Sequence, residues 1–104
     1  MSLVREEYRD LVADCENNLQ TVTHAAELMP KKHGRLYDNQ REQLKHAFEW
    51  YNSSVENLVA FQRKQQHLRQ LDSYDFEHLT WLCNSYRQVI HSLKKVYSFS
   101  SSEQ

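Results

Sequence analysis

The chain has 104 residues and a net charge of −1, and 39% of its residues are hydrophobic. This length fits one domain with one core, and the composition excludes a disordered chain. Proline and glycine occur once each, at Pro30 and Gly34, which argues against an all-β protein because such a protein needs many turns. Long helices are therefore expected.

The first predicted helix runs from about Leu3 to Met29. Its apolar residues recur every three or four positions, which places them on one stripe of a helix. The stripe comprises Val4, Tyr8, Leu11, Cys15, Leu19, Val22, Ala26 and Met29. Ser2 is expected to cap this helix, and Pro30 is expected to end it before a basic loop at residues 31–35.

The second predicted helix, from about Asn39 to Leu71, is the longest. Asn39 and Glu42 have the spacing of a capping box, and Asp38 is a competing cap. The predicted core stripe comprises Leu44, Ala47, Phe48, Tyr51, Val55, Leu58 and Leu68. Residues 62–70 are poor in apolar side chains, so we expect this part either to project beyond the bundle or to pair with another copy.

The third predicted helix follows a short break, with Asp72 or Ser73 as its cap. Its apolar stripe comprises Leu79, Leu82, Cys83, Tyr86, Val89, Ile90, Leu93 and Tyr97. Residues 98–104 show no sustained apolar pattern and are expected to form a flexible tail. The predicted organisation is therefore a single helical-bundle domain at residues 1–97 followed by this tail.

The expected fold class is all-α. Short loops make consecutive helices antiparallel neighbours, so we predict an up-down-up three-helix bundle that resembles a spectrin-type repeat in shape. The alternative is a helical hairpin that is completed by dimerisation.

Cys15 and Cys83 lie on the predicted apolar stripes, so both are expected to be buried free thiols of a protein in a reducing compartment. The first apolar residues are interrupted by Arg5, Glu6 and Glu7, which is unlike a signal peptide. No apolar run approaches the roughly 20 residues of a membrane span. A cytoplasmic protein without membrane contact is expected, a nuclear one being the alternative.

The sequence offers little for catalysis or for metal and cofactor binding. A di-iron bundle needs Glu-x-x-His twice on core-facing positions, and this pattern does not occur among the six histidines. The two cysteines lack the spacing of a zinc site, and one glycine cannot build a phosphate-binding loop. We therefore expect no catalytic residue, no metal and no cofactor.

One enzymatic pattern is the exception. The stretch from Arg41 to His46 resembles the Arg–His spacing of helical ribonucleases of the HEPN type. Arg87 and His91 are better placed, late in the chain, but stand one residue too close together. This resemblance implies a metal-independent ribonuclease, which is an alternative to a non-catalytic protein.

Basic residues suggest a further alternative, a nucleic-acid-associated protein. Four of them are spaced as one stripe on the outer face of the third helix, namely Arg87, His91, Lys94 and Lys95. A few positions are similar in layout to the helical half of bacterial primosome factors of the PriC family, namely Leu36, Tyr37, Asp38, Asn57 and Leu58. That similarity implies a role in replication, but the near-neutral net charge does not favour nucleic acid as the partner.

Aromatic residues outside the apolar stripes indicate a partner protein instead. Trp81 lies about 140° around the third helix from Tyr86, and Tyr74 also lies off the apolar face. Trp50 and Phe61 lie on one shoulder of the second helix, where a wide buried arc is the alternative explanation. Because Trp and Tyr are favoured at binding hot spots, these four residues, Trp81, Tyr74, Trp50 and Phe61, are the predicted partner-binding residues.

These observations predict a non-catalytic protein–protein interaction module, such as an adaptor, a regulator or an inhibitor. It is expected to bind another protein, or itself as a homodimer, through its helix faces.

Overall fold

The computed structural model describes residues 3–27 and 36–97. Within these ranges the chain forms three helices and no strand: α1 at Leu3–Glu27, α2 at Leu36–Leu68 and α3 at Ser73–Tyr97. Helix α1 packs against α2, and α2 packs against α3. The predicted three-helix bundle is thereby confirmed, and it forms within one chain rather than from a hairpin that needs a second copy.

The bundle is elongated, with extents of 52 × 26 × 20 Å, because its longest helix sets one dimension. At roughly 1.5 Å per residue, the 33 residues of α2 span about 50 Å, close to the longest extent of the bundle. None of the three described helices is long and apolar enough to cross a membrane. Several predictions concern residues or side chains outside those described, namely Ser2, Met29, Pro30, residues 31–35, Asp38, Tyr97 and residues 98–104.

The core is built largely from the predicted stripes, and α2 contributes most because it contacts both other helices. The buried hydrophobic residues are Tyr8, Cys15, Val22, Leu44, Ala47, Phe48, Tyr51, Val55, Leu58, Phe61, Leu71, Leu79, Leu82, Cys83 and Tyr86. Cys15 and Cys83 are free and buried, as predicted. At the centre, the hydroxyl of Tyr51 donates to the backbone carbonyl of Tyr86 at 3.0 Å, so this buried polar atom is satisfied.

Three polar contacts join α1 to α3, and the two residues in each contact are 70 positions apart. The pairs are Arg5 with Asp75 at 3.4 Å, Tyr8 with His78 at 3.0 Å and Glu16 with Tyr86 at 2.6 Å. A constant separation means that the two helices run parallel and in register, since each rises by the same amount per residue. Long side chains thus connect α1 to α3.

The turn between α2 and α3 is held by Gln65, whose side chain is only 2% exposed. Its Oε1 accepts a hydrogen bond from the backbone N–H of Gln70 at 3.0 Å. Arg69 has φ of 52°, the left-handed conformation that commonly ends a helix. Oδ1 of Asp72 then accepts from the backbone N–H of Asp75 at 2.8 Å, so Asp72 is the cap of α3.

Three predictions about α2 are wrong. The helix begins at Leu36, three residues before the predicted capping box, so Asn39 lies inside it. It ends at Leu68, which is 49% exposed, because Arg69 turns the chain and Leu71 takes the buried position instead. The end of α2 does not project from the bundle, since Gln65 is buried there.

Candidate interaction surfaces

One exposed aromatic surface lies on α3 and consists of Tyr74, His78 and Trp81, which we call the aromatic face. These residues are spaced four and three positions apart, so they share one side of the helix. Tyr74 is 77% exposed and Trp81 is 62% exposed. The rings of His78 and Trp81 are stacked, with centroids 6.1 Å apart and planes inclined by 10°. Two of the predicted partner-binding residues therefore lie on one surface.

The aromatic face is connected to the core through Tyr8 of α1. The hydroxyl of Tyr8 lies 3.0 Å from Nδ1 of His78, and its ring stacks on Phe61 with centroids 6.3 Å apart. Burial raises the pKa of Tyr8, so its hydroxyl stays protonated at neutral pH and is available to donate to the histidine. Trp81 thus stacks on His78, and His78 in turn contacts Tyr8 of the core.

The other two predicted partner-binding residues, Phe61 and Trp50, differ from each other in exposure. Phe61 is 4% exposed and packs on Tyr8, so the prediction that it contacts a partner is wrong: its ring belongs to the core. Trp50 is 62% exposed. It lines a groove together with Thr21, His24 and Ala25 of α1, which leave most of the indole uncovered. The alternative explanation, that α2 has a wide buried arc, therefore accounts for the burial of Phe61 but does not apply to the exposed Trp50.

A second surface is the groove between α2 and α3, about 500 Å³ in volume, which we call the basic groove. Arg87, His91 and Lys94 line it from α3, and Arg63 joins them from α2. Lys95, the fourth residue of the predicted basic patch, does not line this groove. The rest of the lining is Asn52, Val55, Glu56, Val59, Ala60 and Ile90. Helix packing thus extends the predicted patch across two helices.

The buried cysteines are poorly suited to nucleophilic chemistry. Burial is the main cause that raises the pKa of Cys15 to about 12 and that of Cys83 to about 11. Both thiols are therefore protonated at neutral pH, whereas the thiolate is the nucleophile. Among the described residues, no three His, Cys, Asp or Glu side chains form a group that could hold a metal ion.

The two Arg–His patterns have different surroundings. Arg87 and His91 both line the basic groove. His46 instead lies 3.7 Å from a carboxylate oxygen of Glu42 and 3.7 Å from one of Glu49. Acidic neighbours do not favour a scissile phosphate at His46, so α3 carries the better candidate for the ribonuclease alternative.

Comparisons with models of protein families, with curated proteins and with solved structures gave no match to this chain. Evidence for the function of this chain therefore comes from the geometry of the aromatic face and the basic groove.

Sequence reasoning missed His78 as a member of the aromatic face, and it did not group Arg63 with Arg87. His78 had a local signal, since it stands four residues after Tyr74 and three before Trp81 on the same helix face. The place of Arg63 beside Arg87 depends instead on how α2 packs against α3, which the spacing along one helix does not show.

Proposed function

We propose that this chain is a non-catalytic protein–protein interaction module, such as an adaptor, a regulator or an inhibitor. It binds another protein, or a second copy of itself, through exposed helix faces. The observation that carries the proposal is the aromatic face, where Tyr74 and Trp81 are both mostly exposed to solvent. Trp and Tyr are the residues most enriched at binding hot spots, together with Arg.

Two contacts within the chain position His78 and Trp81 of the aromatic face. Trp81 stacks on His78, and His78 contacts the hydroxyl of the buried Tyr8. A partner that covers the indole therefore costs little additional side-chain freedom. Removing such a ring from water contributes on the order of 2 kcal/mol, enough to make Trp81 an anchor of the interface.

A nucleic-acid-associated function is the second candidate, and the basic groove favours it through Arg63, Arg87 and Lys94. It ranks second for two reasons. His91 is the one aromatic ring among the residues that line this groove, and no Phe, Tyr or Trp there offers a base a stacking surface. The net charge of −1 also gives no general attraction for phosphate. The ribonuclease alternative, with Arg87 and His91 acting on RNA, depends on the same groove and stays a prediction.

Two tryptophans with equal exposure allow a matched test. Trp81 and Trp50 are each 62% exposed, but only Trp81 belongs to the aromatic face. Light scattering on a sizing column over a range of concentrations measures self-association of wild type, Trp81→Ala and Trp50→Ala. Capture from a lysate of cells that produce the protein measures other partners in the same three proteins.

We expect Trp81→Ala to lose the association that wild type shows, while Trp50→Ala keeps it and both variants melt near the wild-type temperature. A Trp81→Ala protein that associates like wild type would reject the aromatic face as the binding surface. A complex that dissociates on nuclease treatment and at high salt would favour the nucleic-acid alternative instead.

A further inference from the structure

We propose that the basic groove binds an amphipathic helix of a partner protein, with apolar residues on one face and acidic residues beside them. This inference rests on the proposed function of protein binding and adds the chemistry of the partner. It concerns a surface separate from the aromatic face: the groove lies between α2 and α3, whereas His78 of the aromatic face contacts α1.

The shape of the groove suits a helix. Its α2 wall extends from Asn52 to Arg63, which at roughly 1.5 Å per residue is about 16 Å, or three turns of a docked helix. A helix in such a groove places side chains at positions i, i+3 or i+4, and i+7 against the floor. The occupant would pack against both α2 and α3 as a fourth helix of the bundle.

The lining also has the polarity that an amphipathic helix requires. The apolar floor is formed by Val55, Val59, Ala60 and Ile90. Three permanent cations stand around it, and Arg63, Arg87 and Lys94 make no ion pair with any described residue. Glu56 offsets one of these charges, which leaves a net of +2 from three cations and one carboxylate. Carboxylates on the flanks of a docked helix would pair with the arginines in the geometry that guanidinium groups favour.

Two other occupants fit less well. Nucleic acid would use the cations but not the apolar floor, and apart from the imidazole of His91 the lining gives its bases no ring to stack on. The acidic α1 of a second copy would offer Glu6, Asp10 and Asp14, all exposed. However, its neighbouring apolar residues already face its own core, so it would leave the floor of the groove uncovered.

The probe is a fluorescein-labelled synthetic peptide of about fourteen residues, with leucine at every third or fourth position and glutamate on both flanks. A second peptide replaces every glutamate with glutamine and keeps the leucines. A third probe is a labelled single-stranded oligonucleotide of about twenty nucleotides. Fluorescence anisotropy measures the Kd of each probe for the full chain. The Trp81→Ala variant is expected to bind the acidic peptide like wild type.

Neighbouring lysines supply matched controls. The groove variant, Arg63→Glu with Lys94→Glu, reverses two charges of the lining. The control variant, Lys64→Glu with Lys95→Glu, makes similar changes one position further along the chain, at residues that do not line the groove. We expect the groove variant to weaken binding of the acidic peptide about tenfold or more and the control less than about threefold. Ala60→Gln crowds the exposed part of the floor without adding charge and is expected to weaken binding about threefold.

The acidic peptide is expected to bind wild type with a Kd below about 100 μM and at least about tenfold tighter than the glutamine peptide. The proposal is overturned by absence of peptide binding at about 1 mM, or by equal losses in the groove and control variants. It is likewise overturned by an oligonucleotide that binds more tightly than the peptide and depends on the same two groove residues. Because Trp81 takes no part here, these failures are distinguishable from a failure of the aromatic face.

Discussion

The hydroxyl of Tyr86 donates a hydrogen bond of 2.6 Å to Oε2 of Glu16, which joins α3 to α1. The backbone carbonyl of the same tyrosine accepts from the hydroxyl of Tyr51 at 3.0 Å, and the two rings meet edge to face. Tyr86 therefore links all three helices at one point of the bundle. Its contacts have measurable consequences for stability.

Removing the Tyr86 hydroxyl is expected to destabilise the bundle. Tyr86→Phe deletes the hydrogen bond to Glu16 and should lower the free energy of unfolding by about 1 kcal/mol, since the carboxylate remains exposed to water. Urea denaturation followed by circular dichroism measures this loss. Tyr74→Phe, at an exposed position of the same helix, is the control and should change stability by less than about 0.5 kcal/mol. Equal stability of Tyr86→Phe and wild type would show that this bond contributes nothing.

Alkaline pH is expected to unfold the protein through the same tyrosines. Burial is the largest cause that raises the pKa of Tyr86 and of Tyr51 above the ordinary value of 10.0. For Tyr86, the hydrogen bond to Glu16 and the charge of that carboxylate add to the shift. The unfolded chain thus loses these protons at a lower pH than the folded chain does, so their contribution is complete below about pH 10 and is lost as the pH rises further.

Denaturation by urea at several pH values between about 8 and 11 measures this dependence. Because the raised pKa values of Cys15 and Cys83 act in the same direction from their ordinary value of 9.0, we expect the free energy of unfolding to fall above about pH 9. Above about pH 10 it is expected to fall less steeply in Tyr86→Phe than in Tyr74→Phe. A stability that is constant or rises over this range would contradict the assigned protonation states.

The buried thiols are expected to resist modification while the chain is folded. Because burial raises the pKa of both Cys15 and Cys83, little thiolate is present near pH 8, and the core also excludes the reagent. Labelling with a disulfide-exchange reagent should therefore be at least about a hundredfold slower in buffer than in guanidinium chloride. Fast labelling of both cysteines in buffer would mean that the core opens readily.

The end of α2 offers a stabilising substitution. Arg69 has a left-handed backbone, with φ of 52°, which costs a residue with a Cβ atom more than it costs glycine. Arg69→Gly is therefore expected to raise the free energy of unfolding by about 0.5 kcal/mol. Gln66→Gly, inside the helix three residues earlier, should instead lower it by about 1 kcal/mol. A loss of stability in Arg69→Gly would mean that the arginine side chain does more than end the helix.

The sequence predicted what depends on local periodicity and missed what depends on three-dimensional packing. The three helices, the stripes and the buried cysteines follow from the spacing of apolar residues. Trp50 and Phe61 show the limit, because they lie only about 20° apart around α2 and have equivalent positions on a helical projection. One is exposed and the other buried: Phe61 stacks on the ring of Tyr8, whereas Trp50 lines a surface groove that α1 leaves open.

The turn after α2 illustrates the same limit. The sequence pattern predicted that the helix continues to about Leu71. The left-handed conformation of Arg69 and the buried side chain of Gln65 end it earlier, and both depend on contacts that periodicity does not encode. Part of the aromatic face could be predicted, because the spacing of residues along α3 alone places Trp81 away from the apolar stripe.

Site-specific photo-crosslinking tests the central proposal, protein binding through the aromatic face, most directly. Trp81 is replaced by a photoreactive phenylalanine analogue in one protein and Trp50 in another, and both are irradiated in cells that produce the chain. The two positions start from the same exposure, 62%, so unspecific collisions affect them equally. We predict a discrete protein adduct at position 81 and none of comparable yield at position 50, its mass distinguishing a second copy of the chain from a different protein. No adduct at position 81 in a protein that still associates like wild type, or equal adducts at both positions, would contradict the proposal.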